Sequence, residues 1–130
     1  MIVVDAGMVA VALGDDGPDG DRARARLRGE ILVAPELVDL EVVSVWRRHV
    51  AAGTMQPRRA DLAVKDLVDL PLERASHRLL LRRCWELRNN LTVYDAAYVA
   101  LAEELGAVLL TADQRIAGAP GLRCQVEVAR

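Results

Sequence analysis

Residues 92–113 read TVYDAAYVALAEELGAVLLTAD and combine the signals of a helix and a buried strand. Thr92, followed three residues later by Asp95, matches a capping box and predicts the start of a helix. Gly106 is typical of a helix end, because glycine adopts the left-handed backbone conformation without strain. The aliphatic run from Ala107 to Leu110 follows at once and predicts a strand buried on both faces. A helix joined directly to such a strand indicates an α/β fold.

The rest of the chain continues this alternation of strands and helices. Apolar runs at 2–4 and 31–34 predict two more buried strands, and the alternating stretch 125–128 predicts an edge strand. Helices are predicted just after Asp5 and over 35–50, 57–70, 76–88 and 92–106. The pattern predicts a three-layer α/β sandwich with a mostly parallel central sheet flanked by helices.

Composition limits the classes of protein to consider. The chain has 130 residues, of which 52% are hydrophobic and 28% charged, and its net charge is −2. These values predict a single globular domain over residues 1–130, and they exclude a disordered chain and a protein held on nucleic acid by overall charge. An acid at position 5 interrupts the first apolar run, so we expect no signal peptide, no membrane span and a cytoplasmic location. Two cysteines cannot build a disulfide framework.

Asp5 and Asp113 both lie just after predicted strands. The carboxyl ends of parallel strands form the edge of an open α/β sheet at which ligands bind. Aspartate is also a preferred N-cap residue, so each acid can simply begin the next helix. The sequence leaves both roles open for these residues.

Two further acids, Asp95 and Glu41, stand among apolar neighbours. Seven uncharged residues follow Asp95 in its predicted helix, and the acid suits either a helix cap or a catalytic group. At helical spacing, Glu41 shares a narrow polar stripe with Ser44 and Arg48. This stripe is either solvated or directs Glu41 into a cleft with aliphatic walls.

Four carboxylates with no histidine or cysteine beside them form the oxygen-rich set that hard cations such as Mg²⁺ or Mn²⁺ prefer. Without a cation, grouped acids would repel one another. Bound divalent metals activate water and stabilise charge on a phosphodiester, so the set favours phosphodiester hydrolysis. The candidate catalytic residues and metal ligands are Asp5, Glu41, Asp95 and Asp113.

Four motifs make the sequence resemble the PIN-domain family, and within it the VapC-type toxins of bacterial toxin–antitoxin pairs. They are IVVDA at 2–6, EVVSV at 41–45, YDAAYVALAE at 94–103 and LLTAD at 109–113. The resemblance spans nearly the whole chain and implies a Mg²⁺- or Mn²⁺-dependent endoribonuclease that acts as a toxin. The family's acidic quartet maps onto Asp5, Glu41, Asp95 and Asp113, with Thr111 supporting the site.

The resemblance also implies partners for the chain. They are an RNA substrate, a small cognate antitoxin, and either a second copy in a homodimer or a toxin–antitoxin hetero-oligomer. One position departs from the family pattern, because Gly7 stands where a serine or threonine is common near the metal. Since Gly7 supplies no hydroxyl, weaker metal binding or a slower reaction is expected.

Two other phosphate-handling classes do not fit. A response-regulator receiver domain needs a lysine near its last strand, but Lys65, in a predicted helix, is the only lysine. A phosphatase of the haloacid-dehalogenase type needs Asp-x-Asp after the first strand, and Gly7 occupies the second of those positions. The remaining alternative is a PIN-like domain that binds antitoxin or RNA with weak or no cleavage.

Overall fold

The computed structural model describes residues 1–129. The strands are β1 (Ile2–Val4), β2 (Leu32–Pro35), β3 (Leu72–Ala75), β4 (Val108–Thr111) and β5 (Val126–Val128). The helices are α1 (Ala6–Gly14), α2 (Pro18–Leu27), α3 (Val38–Ala51), α4 (Pro57–Asp69), α5 (Leu81–Glu86), α6 (Val93–Leu105) and α7 (Gln114–Ala117), and a 3₁₀ turn over Arg78–Leu80 precedes α5.

Within residues 1–129, the strands form one five-stranded sheet in the order β3-β2-β1-β4-β5. Every pairing between neighbours is parallel. The central strand β1 lies between β2 and β4, with Val3 opposite Val33 on one side and Leu109 on the other. This arrangement confirms the predicted α/β class with a parallel central sheet, and it places β5 at the edge as predicted.

Helices cover both faces of the sheet. All residues of β1 and β2 are buried, as expected for strands between two helical layers. Helix α6 packs against β1, β2 and β4, while α1 packs against α2, α3 and α4. In α6, all positions from Ala96 to Ala102 are buried. The uncharged run after Asp95 is therefore a core helix.

The local signals at the ends of α6 are confirmed. The side-chain oxygen of Thr92 accepts a hydrogen bond from the backbone N–H of Asp95 at 3.1 Å. Gly106 ends the helix with a positive φ of 61°, a conformation that glycine adopts without strain. These two residues fix where Asp95 stands relative to the following strand.

Two helix predictions were wrong in their bounds or continuity, and one strand was not predicted. Pro35 ends β2 instead of beginning a helix, and α3 begins at Val38. The 76–88 segment is a 3₁₀ turn and a short helix instead of one continuous helix. Strand β3 was not predicted, because only Leu72 of its four residues is buried and no apolar run marks it. Its position is set by pairing with β2 and by Arg74, which binds the Asp39 carboxylate at 2.9 Å.

The turn between α1 and α2 is closely packed. A Cβ atom at Gly20 would lie 1.8 Å from the backbone carbonyl oxygen of Asp15. This distance leaves no room for a side chain on that face of α2.

In the described part of the chain, no helix combines the length and apolar character needed to cross a membrane.

Candidate active site

The sheet register brings Asp5 and Thr111 together. Val4 pairs with Leu110, so the next residue on each strand lies at the same carboxyl edge. The Thr111 hydroxyl donates a hydrogen bond to Oδ2 of Asp5, and the backbone N–H of Asp5 donates to the Leu110 carbonyl at 3.1 Å. Both polar side chains are buried. The adjacency of β1 and β4 therefore creates the floor of the cleft.

Asp5 also caps helix α1. Its Oδ1 accepts a hydrogen bond from the backbone N–H of Met8 at 3.0 Å, which satisfies one of the free donors at a helix start. Burial raises the pKa of Asp5, while the Thr111 and Met8 hydrogen bonds lower it and the charge of Asp95 raises it further. Asp5 thus fulfils the capping role while its carboxylate lies close enough to Asp95 for their charges to interact.

Asp113 likewise begins a helix. Its Oδ1 accepts from the backbone N–H of Arg115 at 2.9 Å, and the Arg115 guanidinium binds both carboxylate oxygens, at 3.1 and 2.9 Å. The Thr111 hydroxyl oxygen accepts the backbone N–H of Asp113 at 3.0 Å. The hydrogen bond from Arg115 lowers the pKa of Asp113. Thr111 therefore joins two of the four predicted acids.

Glu41 enters the cleft from helix α3. Its Oε1 accepts a hydrogen bond from the Tyr98 hydroxyl at 2.6 Å. Burial raises the pKa of Glu41, the hydrogen bond from Tyr98 lowers it, and the charges of Asp95 and Asp5 raise it further. Of the two sequence interpretations, the structure favours the cleft, because Glu41 is half-buried and its carboxylate is bonded to the hydroxyl of the buried Tyr98.

Asp95 stands in the first turn of α6, where a negative charge is favoured by the helix dipole. Burial raises the pKa of Asp95, and the negative charge of Asp113 raises it further. The hydrogen bond with Thr92 and the positive charge of Arg115 lower it. Asp95 therefore interacts electrostatically with each of the other three acids. It is the common neighbour of the acidic cleft formed by Asp5, Glu41, Asp95 and Asp113.

Two residues of the cleft were missed by the sequence analysis. Tyr98 had the character of a core residue, and Arg115 stood among many arginines. The helical spacing of Tyr98 from Asp95 was the available signal, because residues three apart on a helix share a face. No local pattern links Glu41 to Tyr98, which lie 57 positions apart in the chain.

Residues 2–122 match the family model of the PIN domain. The chain belongs to the PIN-domain family. Similar full-length relatives of this PIN-domain chain include Ribonuclease VapC1 and Ribonuclease VapC12 of Mycobacterium tuberculosis. VapC1 is 41% identical, and the alignment covers 98% of this chain and 97% of the relative. VapC12 is 38% identical, and the alignment covers 98% of each chain.

A solved structure shares the PIN-domain fold described above. It is a crystal structure of VapBC2 from Rickettsia felis bound to a DNA fragment from the promoter of its genes. The match has a TM-score of 0.71 and covers 100% of both chains, with 14% sequence identity. At this identity the likeness concerns the fold alone.

The donor set of this PIN-domain cleft fits a hard divalent cation. The charge of Asp95 raises the pKa of Asp5 and of Glu41, and the charge of Asp5 also raises the pKa of Glu41. A bound cation would remove that repulsion. Among the described residues, no three His, Cys, Asp or Glu side chains are gathered in metal-ligand geometry. The carboxylates instead bond to protein donors, with Asp113 turned toward Arg115.

Gly7 leaves space at the entrance of the cleft. A Cβ atom at this position would lie 3.6 Å from Oδ1 of Asp5, which is an ordinary van der Waals distance, and would meet no other atom this closely. The backbone therefore does not require glycine here. A serine or threonine would attach its hydroxyl to that Cβ, next to Asp5.

Proposed function

We propose that this PIN-domain chain is the toxin of a toxin–antitoxin pair, a Mg²⁺- or Mn²⁺-dependent endoribonuclease that hydrolyses RNA phosphodiester bonds. The observation that carries the proposal is the grouping of Asp5, Glu41 and Asp95 beside Asp113, in which Thr111 contacts Asp5 and Asp113 and Tyr98 contacts Glu41. Burial raises the pKa of the first three acids, and the charge of Asp95 raises the pKa of Asp5 and Glu41 further. Grouping like charges in this way costs stability and is characteristic of sites that work on a cation. Relatives named as VapC ribonucleases support the choice of RNA.

In this proposal each acid has a distinct support. Thr111 orients Asp5, Tyr98 holds Glu41, and the first turn of α6 presents Asp95. A bound Mg²⁺ or Mn²⁺ would neutralise charge at the scissile phosphate and lower the pKa of water. Asp113 joins the set once Arg115 releases its carboxylate, and the released guanidinium is then available to a phosphate oxygen.

Arginines free of ion pairs are the proposed RNA contacts. The sequence has three arginine clusters, at positions 22–28, 58–59 and 82–83. Within them, Arg26, Arg59 and Arg83 bind carboxylates. Their exposed cluster neighbours Arg28, Arg58 and Arg82 have no such partner within residues 1–129. Replacing each of these three by alanine should raise KM for RNA without lowering kcat, because phosphate contacts position the substrate.

The proposed protein partners are a small cognate antitoxin and a second copy of the chain. Several large apolar side chains are exposed, including Leu79 at 94% and Trp85 at 64%. A groove of about 480 Å³ beside Trp85 is lined largely by apolar residues. Exposed apolar surface of this kind marks association sites. Light scattering of the chain should give a mass above one chain, either alone or after co-expression with a short antitoxin, if a neighbouring reading frame encodes one. A monomer in both samples would contradict this part.

We place the proposed activity in the cytoplasm, where RNA is made and thiols remain reduced. Cys84 and Cys124 are both free thiols. Cys84 is buried and Cys124 half-buried, so neither supplies a reactive group to the cleft chemistry. Equal activity in the presence and absence of a reducing agent is expected.

A second candidate function is RNA or antitoxin binding without cleavage. Gly7 favours it, because the chain lacks a hydroxyl where a Cβ would lie 3.6 Å from Asp5. In that case the cleft would bind a cation too weakly to support hydrolysis. Restoring the hydroxyl by Gly7→Ser would then produce cleavage that the natural chain lacks.

The first experiment is cleavage of structured RNA by antitoxin-free protein in Mg²⁺ or Mn²⁺. Chelation and Asp95→Asn should each abolish cleavage. Asp69→Asn is the matched control, since Asp69 is an exposed acid at the end of α4, and it should cut like the natural chain. Cleavage that survives Asp95→Asn, or no cleavage of any RNA in Mn²⁺, would refute the nuclease proposal.

A further inference from the structure

Tyr98 is an unusual residue to find in the middle of a core helix. It is 2% exposed, and a buried phenol needs a hydrogen-bond partner for its hydroxyl. That partner is Oε1 of Glu41, at 2.6 Å. The hydroxyl therefore reaches out of the core to a single carboxylate oxygen of the acidic cleft, instead of to the backbone of its own helix.

The contact uses only one side of Glu41. Among the described residues, no side chain donates a hydrogen bond to Oε2 of this glutamate. Oε2 is thus left for a ligand in the cleft, while Oε1 is held by the Tyr98 hydroxyl. Asp5 differs in this respect, because both of its oxygens accept hydrogen bonds from the protein: Oδ2 from the Thr111 hydroxyl and Oδ1 from the backbone N–H of Met8.

Helix α6 links two acids through this contact. Asp95 and Tyr98 are three residues apart and share one face of the helix. Asp95 presents its own carboxylate, and Tyr98 holds that of Glu41 from α3. A tyrosine has two side-chain torsions and is fixed by its buried ring, whereas a free glutamate has three and loses more rotamer freedom when it is ordered.

We propose that Tyr98 is a positioning residue that preorganises Glu41 for the divalent cation by fixing one carboxylate oxygen and leaving the other free. The inference rests on the proposed function, because it takes Glu41 as a metal ligand. Groups that hold metal ligands in place typically change metal affinity by about 10- to 100-fold when they are removed. Tyr98 would act through Glu41 and would not touch the RNA.

The test is Tyr98→Phe, which removes only the hydroxyl. Mn²⁺ binding is measured by calorimetry, and independently by the rise in melting temperature as Mn²⁺ is added. The Mn²⁺ dissociation constant should rise about 10- to 100-fold, while KM for RNA at saturating Mn²⁺ stays unchanged. Tyr94→Phe is the matched control: Tyr94 lies on the same helix but is 62% exposed, and its variant should bind Mn²⁺ like the natural chain.

A double-mutant cycle separates positioning from simple stability. In a Glu41→Gln background, Tyr98→Phe should cause no further loss of Mn²⁺ affinity, because the ligand that it orients is already impaired. An additional loss of similar size would overturn the proposal. The comparison also serves if Tyr98→Phe alone folds poorly, since a neutral glutamine amide costs less to leave without the Tyr98 hydroxyl than a charged carboxylate does.

The outcomes distinguish this inference from the proposed function. Metal-dependent cleavage by the natural chain, together with normal Mn²⁺ affinity in folded Tyr98→Phe, would overturn the role of Tyr98 and leave the nuclease proposal intact. A natural chain that neither binds Mn²⁺ nor cuts RNA would overturn both. A lower melting temperature with unchanged Mn²⁺ affinity would show a merely structural hydroxyl and would also refute the inference.

Discussion

Replacing Thr111 by valine removes the hydroxyl that connects two of the acids. Valine matches threonine in shape, so the buried end of β4 keeps its packing. The change deletes the hydrogen bond to Oδ2 of Asp5 and the acceptor for the backbone N–H of Asp113. Because Thr111 is fully buried, with 0% exposure, water cannot replace either bond without rearrangement.

The magnitude follows from those two bonds. A hydrogen bond to a charged group contributes about 1.5–3 kcal/mol and a neutral one about 0.5–1.5 kcal/mol. The additional buried methyl group returns about 0.8 kcal/mol. We therefore expect Thr111→Val to lower the free energy of unfolding at pH 7 by about 1–4 kcal/mol, and to weaken Mn²⁺ binding about 10- to 100-fold.

The loss of stability should depend on pH. The hydroxyl of Thr111 lowers the pKa of Asp5 against the effect of burial, so its removal raises that pKa further. Since the folded chain then binds its proton more tightly than the unfolded chain, the free energy of unfolding falls as pH rises above about 4. The difference between Thr111→Val and the natural chain should therefore be larger at pH 7 than at pH 4.

Urea denaturation at the two pH values measures this difference. Thr111→Ser is the control, because it keeps the hydroxyl and loses only a methyl group, at about 0.5–1.5 kcal/mol independent of pH. Equal losses for Thr111→Val at pH 4 and pH 7, or an unchanged Mn²⁺ dissociation constant, would refute the assignment of Thr111 as the support of Asp5.

Three further predictions concern the cleft and the packing near it. Gly7→Ser should lower the Mn²⁺ dissociation constant by up to about 10-fold in calorimetry, since its Cβ fits 3.6 Å from Asp5. Gly7→Ala is the control and should only stabilise the helix, by about 0.5–1 kcal/mol. Equal Mn²⁺ affinities of the two variants would contradict a role for the hydroxyl. Glu41→Gln should abolish cleavage yet raise the free energy of unfolding at pH 7 by about 0.5–2 kcal/mol. Because burial raises the pKa of Glu41, that gain should shrink as pH falls and disappear below about pH 3, where the glutamate is protonated in both states. A gain independent of pH in urea titrations would argue against desolvation of this carboxylate. Gly20→Ala should destabilise the fold by about 2 kcal/mol or more in the same assay, because its Cβ would lie 1.8 Å from a carbonyl oxygen. Gly118→Ala is the control, because its Cβ would have its nearest contact at 3.8 Å. It should change the free energy of unfolding by under about 0.5 kcal/mol.

The sequence predicts those parts of the fold that depend on local chemistry. The cap at Thr92, the left-handed Gly106 and the buried strand that follows are each specified by a few adjacent residues. The same chemistry located Asp5 and Asp113 at strand ends. Both turned out to cap helices and to lie in the cleft, so the two interpretations left open by the sequence are compatible.

Features that depend on distant partners were not predictable in the same way. Strand β3 has the sequence LERA, and its strand conformation comes from β2 and from the Arg74–Asp39 pair, 35 positions apart. The choice between a solvated and a cleft-facing Glu41 depended on Tyr98, which lies on another helix. A single sequence contains both residues but not the crossing of α3 and α6 that brings them together.

The order of the strands explains why the four acids meet at one place. In the order β3-β2-β1-β4-β5, the chain builds outward from β1 in one direction and then restarts on its other side with β4. Parallel sheets open a crevice at the carboxyl ends of the two strands where this reversal occurs. Asp5 and Asp113 follow those two strands. The helices α3 and α6 then contribute Glu41 and Asp95 to the same crevice. The position of the acids is thus a consequence of topology, while in the proposed function their chemistry depends on the Thr111 and Tyr98 hydroxyls that bind them.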